Sequence, residues 1–183
     1  MFPYSKIYGN ALSEDICKKL IYMFETYNEE QVIRNIDEYV KFTEINLNQS
    51  KNWEIVTKYL LEVCGEYLGH YRRDFKIHEK QFPQKYGLEE IRIKKYYPNN
   101  RDEFNFHVDA DTAESSKRMI SYLFYLNDVE EGGETTFGLK GEWVIKPKRG
   151  NLLMFPPLWT HPHQGKKPKS GPKYILTTYI NYV

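Results

Sequence analysis

Along the second half of this chain, short apolar runs alternate with clusters of turn residues, and that spacing constrains the fold more than any other feature. Glu90 to Tyr97, Arg118 to Asn127, Glu142 to Lys146, Asn151 to Pro156 and Lys173 to Val183 each have strand length and strand-like composition. Between them stand Pro98-Asn99-Asn100, Gly132-Gly133, Pro147-Lys148-Arg149-Gly150 and a Lys, Pro and Gly cluster at 165–172, all of which turn the chain. An aromatic share of 16% suits pleated, half-buried sheet surfaces.

The first half has a different period. Ser13 can cap a helix on which Ile16, Leu20, Met23, Phe24 and Tyr27 share one face. A second helix is expected from near Ser50 to past Tyr67, with Trp53, Val56, Leu60, Val63 and Tyr67 repeating at three or four and with Gly65 and Gly69 weakening its last turns. Between the two, Val40 and Phe42 alternate like a strand, as do Ile45 and Leu47, but the step between the pairs breaks the period. Helices first and many short strands after them predict an α+β chain, mainly β: a β-sandwich or jelly roll buttressed on one side by N-terminal helices. At 183 residues it is expected to be a single domain, with 1–88 a helical support carrying a few strands and 89–183 the core.

Charge and cysteine content narrow the partners. Lys plus Arg (26) and Asp plus Glu (25) leave a formal charge of +1, so no broad field argues for nucleic acid or an anionic membrane. Cys17 and Cys64 fall in the helical stretches and read as buried thiols of a reducing compartment rather than a bridge. No signal-like N-terminus or membrane-length apolar run is visible, so a cytoplasmic location is expected.

His107-Val108-Asp109 puts an imidazole and a carboxylate two residues apart, on one face of an extended chain. His161-Pro162-His163, after the apolar stretch Leu152 to Phe155, offers a further imidazole. Two His and one carboxylate leave three positions of an octahedral metal free, which suits Fe(II) oxygenases; zinc with a bound water is the competing reading. His70 and His78 lack nearby ligand types and read as surface residues. Lys173 differs from Lys166, Lys167 and Lys169 in heading an apolar strand, so its ammonium can point inward toward an acidic ligand.

Taken in order, these motifs resemble the prolyl 4-hydroxylase family of Fe(II) and 2-oxoglutarate-dependent dioxygenases, over roughly Glu90 to Tyr182. Tyr97-Pro98, His107-Val108-Asp109, Tyr125-Leu126-Asn127 followed by Glu131 to Phe137, Pro147 to Gly150 with Leu153 to Phe155, and His163-Gln164-Gly165 with Lys173 ten residues on are similar to the family's ordered motifs. The resemblance implies a double-stranded β-helix core (jelly roll, cupin-like). It implies His107, Asp109 and His163 as iron ligands, with His161 an alternative, and Lys173 and Tyr97 as partners of the far carboxylate of 2-oxoglutarate. Tyr125 and Thr178 are implied at the pocket wall, with loops 101–105 and 110–117 at the substrate rim. It further implies O2 as oxidant, ascorbate as reductant, and a proline-containing peptide or protein as acceptor. The same residues would serve another amino acid, a sugar or a nucleobase. Tyr179 stands where many members carry Trp. A peptide-binding module without turnover is the rival from another class, and loss of turnover in His107→Ala would separate the two.

Overall fold

The computed structural model describes residues 2–36 and 40–183. Two helices and twelve strands follow one another as β1 (Lys6–Tyr8), α1 (Glu14–Thr26), β2 (Val32–Ile36), β3 (Val40–Asn46), α2 (Glu54–Asp74), β4 (Tyr86–Leu88), β5 (Arg92–Tyr96), β6 (Phe104–His107), β7 (Arg118–Tyr125), β8 (Thr135–Phe137), β9 (Trp143–Ile145), β10 (Leu152–Phe155), β11 (His163–Gly165) and β12 (Lys173–Tyr182). The strands form one curled sheet in the order β1-β10-β7-β12-β5-β3-β6-β11-β8-β9, with β2 added to β3 and β4 to β12. The described strand pairs are antiparallel. The result is the jelly roll expected, with both helices packed on its outer face.

Each helix forms for a local reason and is kept by packing. Ser13 accepts a hydrogen bond from the Ile16 amide, and Glu14 and Asp15 sit in the first turn, where carboxylates favour the helix dipole. α1 buries Cys17, Leu20 and Phe24. α2 outruns its glycines and continues to Asp74, because Val63, Cys64, Leu68 and Tyr71 stay buried through the weak turns and their packing outweighs propensity. The Tyr71 hydroxyl donates to the Tyr4 carbonyl at 2.6 Å, tying the N-terminal segment to that end. Cys17 and Cys64 are free and buried. No helix among the described residues is long and apolar enough to cross a membrane.

Alternation along the strands divides the interior in two. Ile120, Tyr122 and Phe124 of β7, Leu152 and Met154 of β10, and Leu176 and Ile180 of β12 face the helices. Leu123 and Tyr125, Leu153 and Phe155, and Ile175 on the same strands face the inside of the roll. Burial on both faces explains why these strands read as continuous apolar runs. It also explains the broken period in β3, where Phe42 joins the inner cluster while Ile45 and the following Leu47 join the outer one. β1, β6, β8 and β11 escaped the sequence reading: each has only three or four residues, too few to show a period.

Candidate metal and co-substrate site

Strand pairing brings the histidines together. β6 and β11 are antiparallel neighbours, and His107 lies directly opposite His163. Asp109 follows just past the end of β6. One ligand atom from each of His107, Asp109 and His163 can be chosen so that all lie within 4.8 Å of one another. His107 Nε2 is 3.4 Å from one oxygen of Asp109, and His163 Nε2 is 3.6 Å from the other. Donors about 2 Å from a common ion stand at similar separations.

The second nitrogen of each ring fixes its tautomer. His107 Nδ1–H donates to the Asn105 carbonyl at 2.6 Å, and His163 Nδ1–H donates to the His161 carbonyl at 3.0 Å. A carbonyl only accepts, so Nδ1 carries the hydrogen and Nε2 turns a lone pair to the centre. Phe104 stacks flat on His107, centroids 3.7 Å apart, and Phe155 meets His163 edge-on at 4.8 Å, so neither ring is free to turn. His107 Nε2 is buried with no hydrogen-bond partner. Such an orphaned acceptor is costly unless a cation supplies what is missing, so the donor set fits a divalent metal.

Charge states agree with that fit. Burial alone would raise the Asp109 carboxyl, but His163 and His107 hold it well below the usual carboxylate range. Burial pushes His163 down to about 4 against the pull of Asp109, which leaves a neutral imidazole at ordinary pH. One anion and two neutral imidazoles are the forms a metal requires.

Lys173 lies on the same wall. It is 2% exposed, and burial pushes its ammonium down to about 7 although Glu134 opposes the shift. Its Nζ sits 5.6 Å from the ring centre of Tyr96 and 5.8 Å from that of Tyr125. Two glycines keep its path open. A Cβ at Gly133, where φ is +72°, would come within 3.3 Å of Lys173 Cδ, and one at Gly165 would stand 3.9 Å from Nζ. A buried ammonium edged by aromatic rings and cleared by glycines can accept a carboxylate, so the pocket also fits a small dicarboxylic co-substrate.

The register revises two of the expected residues. Lys173 pairs with Tyr96 across β12 and β5, so Tyr96 lines the cavity. Tyr97, half a pleat on, is 39% exposed, and its ring lies 4.4 Å from the Nζ of Lys95, which bonds Glu25 of α1. Likewise Thr177 lines the cavity, while the buried Thr178 turns its hydroxyl to the Glu89 carbonyl at 2.7 Å. Tyr125 is buried behind the wall and donates to the Thr135 hydroxyl at 2.8 Å. His161 is not among the converging ligands: its ring is held by the Pro3 carbonyl at 2.7 Å and by Thr160, and it serves the site through its own carbonyl on His163. Of the expected rim, Phe104 and Asp111 line the mouth beside Arg92, Lys94 and Arg118. Lys94 was missed, although Ile91 and Ile93 on one face of β5 set Arg92, Lys94 and Tyr96 on the other.

Comparison with known proteins follows the same lines. The family described as the 2OG-Fe(II) oxygenase superfamily matches residues 91–181. Probable prolyl 4-hydroxylase 10 of Arabidopsis thaliana is 26% identical, with 84% of this chain and 57% of that protein covered. Probable prolyl 4-hydroxylase 9 of the same plant is 29% identical over 54% of this chain and 42% of its own. The chain therefore spans about half the length of these curated relatives. Among solved structures, viral collagen prolyl hydroxylase from Paramecium Bursaria Chlorella virus-1, in its 2OG complex, superposes with a TM-score of 0.67 at 23% identity, covering 98% of this chain and 97% of that one. A prolyl hydroxylase from Trichoplax adhaerens, in complex with a hypoxia inducible factor peptide fragment, gives 0.75 at 17% identity, covering 97% and 83%. With the His-Asp-His centre in place and the family's conserved region spanning the strands that build it, this chain belongs to the 2OG-Fe(II) oxygenase superfamily.

Proposed function

We propose that the protein hydroxylates a C–H bond of a prolyl residue in a peptide or protein, using Fe(II), 2-oxoglutarate and O2. The observation that carries this reading is the orphaned Nε2 of His107, facing Asp109 and His163, in a cavity shared with a buried Lys173. His107, Asp109 and His163 would hold the iron. Bound there with 2-oxoglutarate, it supplies the oxidising power that converts C–H to C–OH, with succinate and carbon dioxide released.

The chain's own residues do the rest. Lys173 neutralises the far carboxylate of 2-oxoglutarate, and the buried Tyr96 is placed to donate a hydrogen bond to it, the role expected of Tyr97. Tyr125 fixes the wall behind Lys173 through Thr135. Phe104, Phe137 and Phe155 keep water from the imidazoles, which limits wasted oxidation. Ascorbate would keep the iron reduced. Free Cys17 and Cys64 suit a reducing cytoplasm, which we include in the proposal. The prolyl acceptor rests on the prolyl 4-hydroxylases among the relatives.

The test is succinate formation from 2-oxoglutarate with Fe(II) and ascorbate, with and without a proline-rich peptide. Stimulation by the peptide, new mass of one oxygen on proline, and loss of both in His107→Ala and Lys173→Ala are expected. Turnover that no prolyl peptide stimulates would discard the acceptor, and peptide binding without turnover in the iron-loaded protein would discard the enzyme.

A further inference from the structure

Lys94 is a second cation of the cavity for which the reaction above has no use. It lies on the inner face of β5, between Arg92 and Tyr96, and lines both the metal cavity and its mouth, whereas Lys173 lines only the former. Its Nζ rests 4.9 Å from the ring centre of Phe42 and 5.5 Å from that of Phe104, the ring stacked on His107. Burial lowers its pKa in spite of Glu44 and Asp109.

The neighbouring charges are already engaged. Glu44, opposite Lys94 in the pairing of β3 with β5, holds Arg34 at 2.7 Å. Arg92 is bound to Glu90, and Arg118 spans Glu89 and the Asp109 carbonyl. The Asp109 carboxylate faces the metal position, and Asp111 stands exposed at the rim. Nor does the co-substrate meet the need: of its two carboxylates, one is taken up at the metal and the other by Lys173. A desolvated ammonium next to the reacting centre then lacks an anion, and the remaining molecule that can bring one is the acceptor.

We infer that Lys94 selects an acceptor with a carboxylate close to the carbon that is oxidised. This deepens the oxygenase reading and rests on it. The carboxylate can be the main-chain terminus of a free or C-terminal prolyl residue, or an acidic side chain beside an internal one.

Calorimetric titration without oxygen, on protein loaded with Mn(II) and 2-oxoglutarate, tests the assignment independently of turnover. The probes are L-proline, N-acetyl-alanylproline, the amide of the latter, and an amidated peptide with aspartate next to proline. Wild type is expected to bind at least one carboxylate probe about ten- to a hundredfold tighter than the neutral amide, as a charge-assisted hydrogen bond allows. Which probe it is identifies the source. Lys94→Met should erase that preference and Lys94→Arg should keep most of it, with 2-oxoglutarate affinity held within about twofold in both. Equal binding of acid and amide by wild type overturns the inference, and so does weakened 2-oxoglutarate binding in Lys94→Met. Should Lys94→Met fail to fold, the acid and amide pair on wild type still decides. Wild type that binds no 2-oxoglutarate would instead overturn the oxygenase reading, and this assignment with it.

Discussion

The two faces of the one sheet are built to opposite rules. Toward the helices, Leu20, Phe24, Trp53, Leu60, Ile93, Phe124 and Leu176 pack with almost no exposed surface, and the polar groups there are satisfied, as where Tyr122 donates to the Cys64 carbonyl at 3.0 Å. Inside the roll, the same strands bury Asp109, Lys173 and an unpartnered imidazole nitrogen. The outer face lowers free energy in the protein alone. The inner face carries costs that a bound metal and a bound dianion remove. Stability and function are thereby assigned to alternate residues of shared strands.

Substitutions on either face should separate the two roles. His107→Ala comes first in effect: turnover falls to background and Fe(II) affinity drops, while unfolding of the metal-free protein changes far less, as paired activity and melting curves would show. On the outer face Leu60→Ala should cost about 2–5 kcal/mol in denaturant unfolding, through the cavity left beneath α2, yet preserve 2-oxoglutarate affinity in the folded fraction.

Lys173→Met should weaken 2-oxoglutarate about a hundredfold and still stabilise the ligand-free protein. The sign follows from its lowered pKa. Its amine is pushed from 10.5 to about 7, so the cost of folding around a charge is complete below pH 7 and is relieved as pH rises toward 10.5. The gain in Lys173→Met, on the order of a few kcal/mol, should therefore be largest below pH 7 and shrink above it, in unfolding measured across that range. The smallest effect sharpens the comparison to adjacent residues. Tyr96→Phe should weaken 2-oxoglutarate about fivefold, whereas Tyr97→Phe, one position on and outward, should not change it.

That last pair also shows where sequence reading stops. The metal ligands were legible because His-x-Asp and a distal His ahead of x-Gly and Lys are set by local spacing, and the long strands because both faces are apolar. Tyr97 and Thr178 were each one residue off, since motif spacing does not record which way a side chain points. That is decided by pairing, with Lys173 opposite Tyr96, Ile175 opposite Lys94 and Thr177 opposite Arg92. His161 was legible as a histidine near the site, but not as the carbonyl that orients His163, because a backbone contact leaves no trace in residue type.

The measurement that bears most directly on the central claim is an oxygen-free titration of 2-oxoglutarate into wild-type protein, His107→Ala and Lys173→Ala, each with and without Fe(II). One molecule bound per chain, dependent on the metal and lost or much weakened in both variants, is the predicted result. Binding that is indifferent to the metal and to both substitutions would contradict the account.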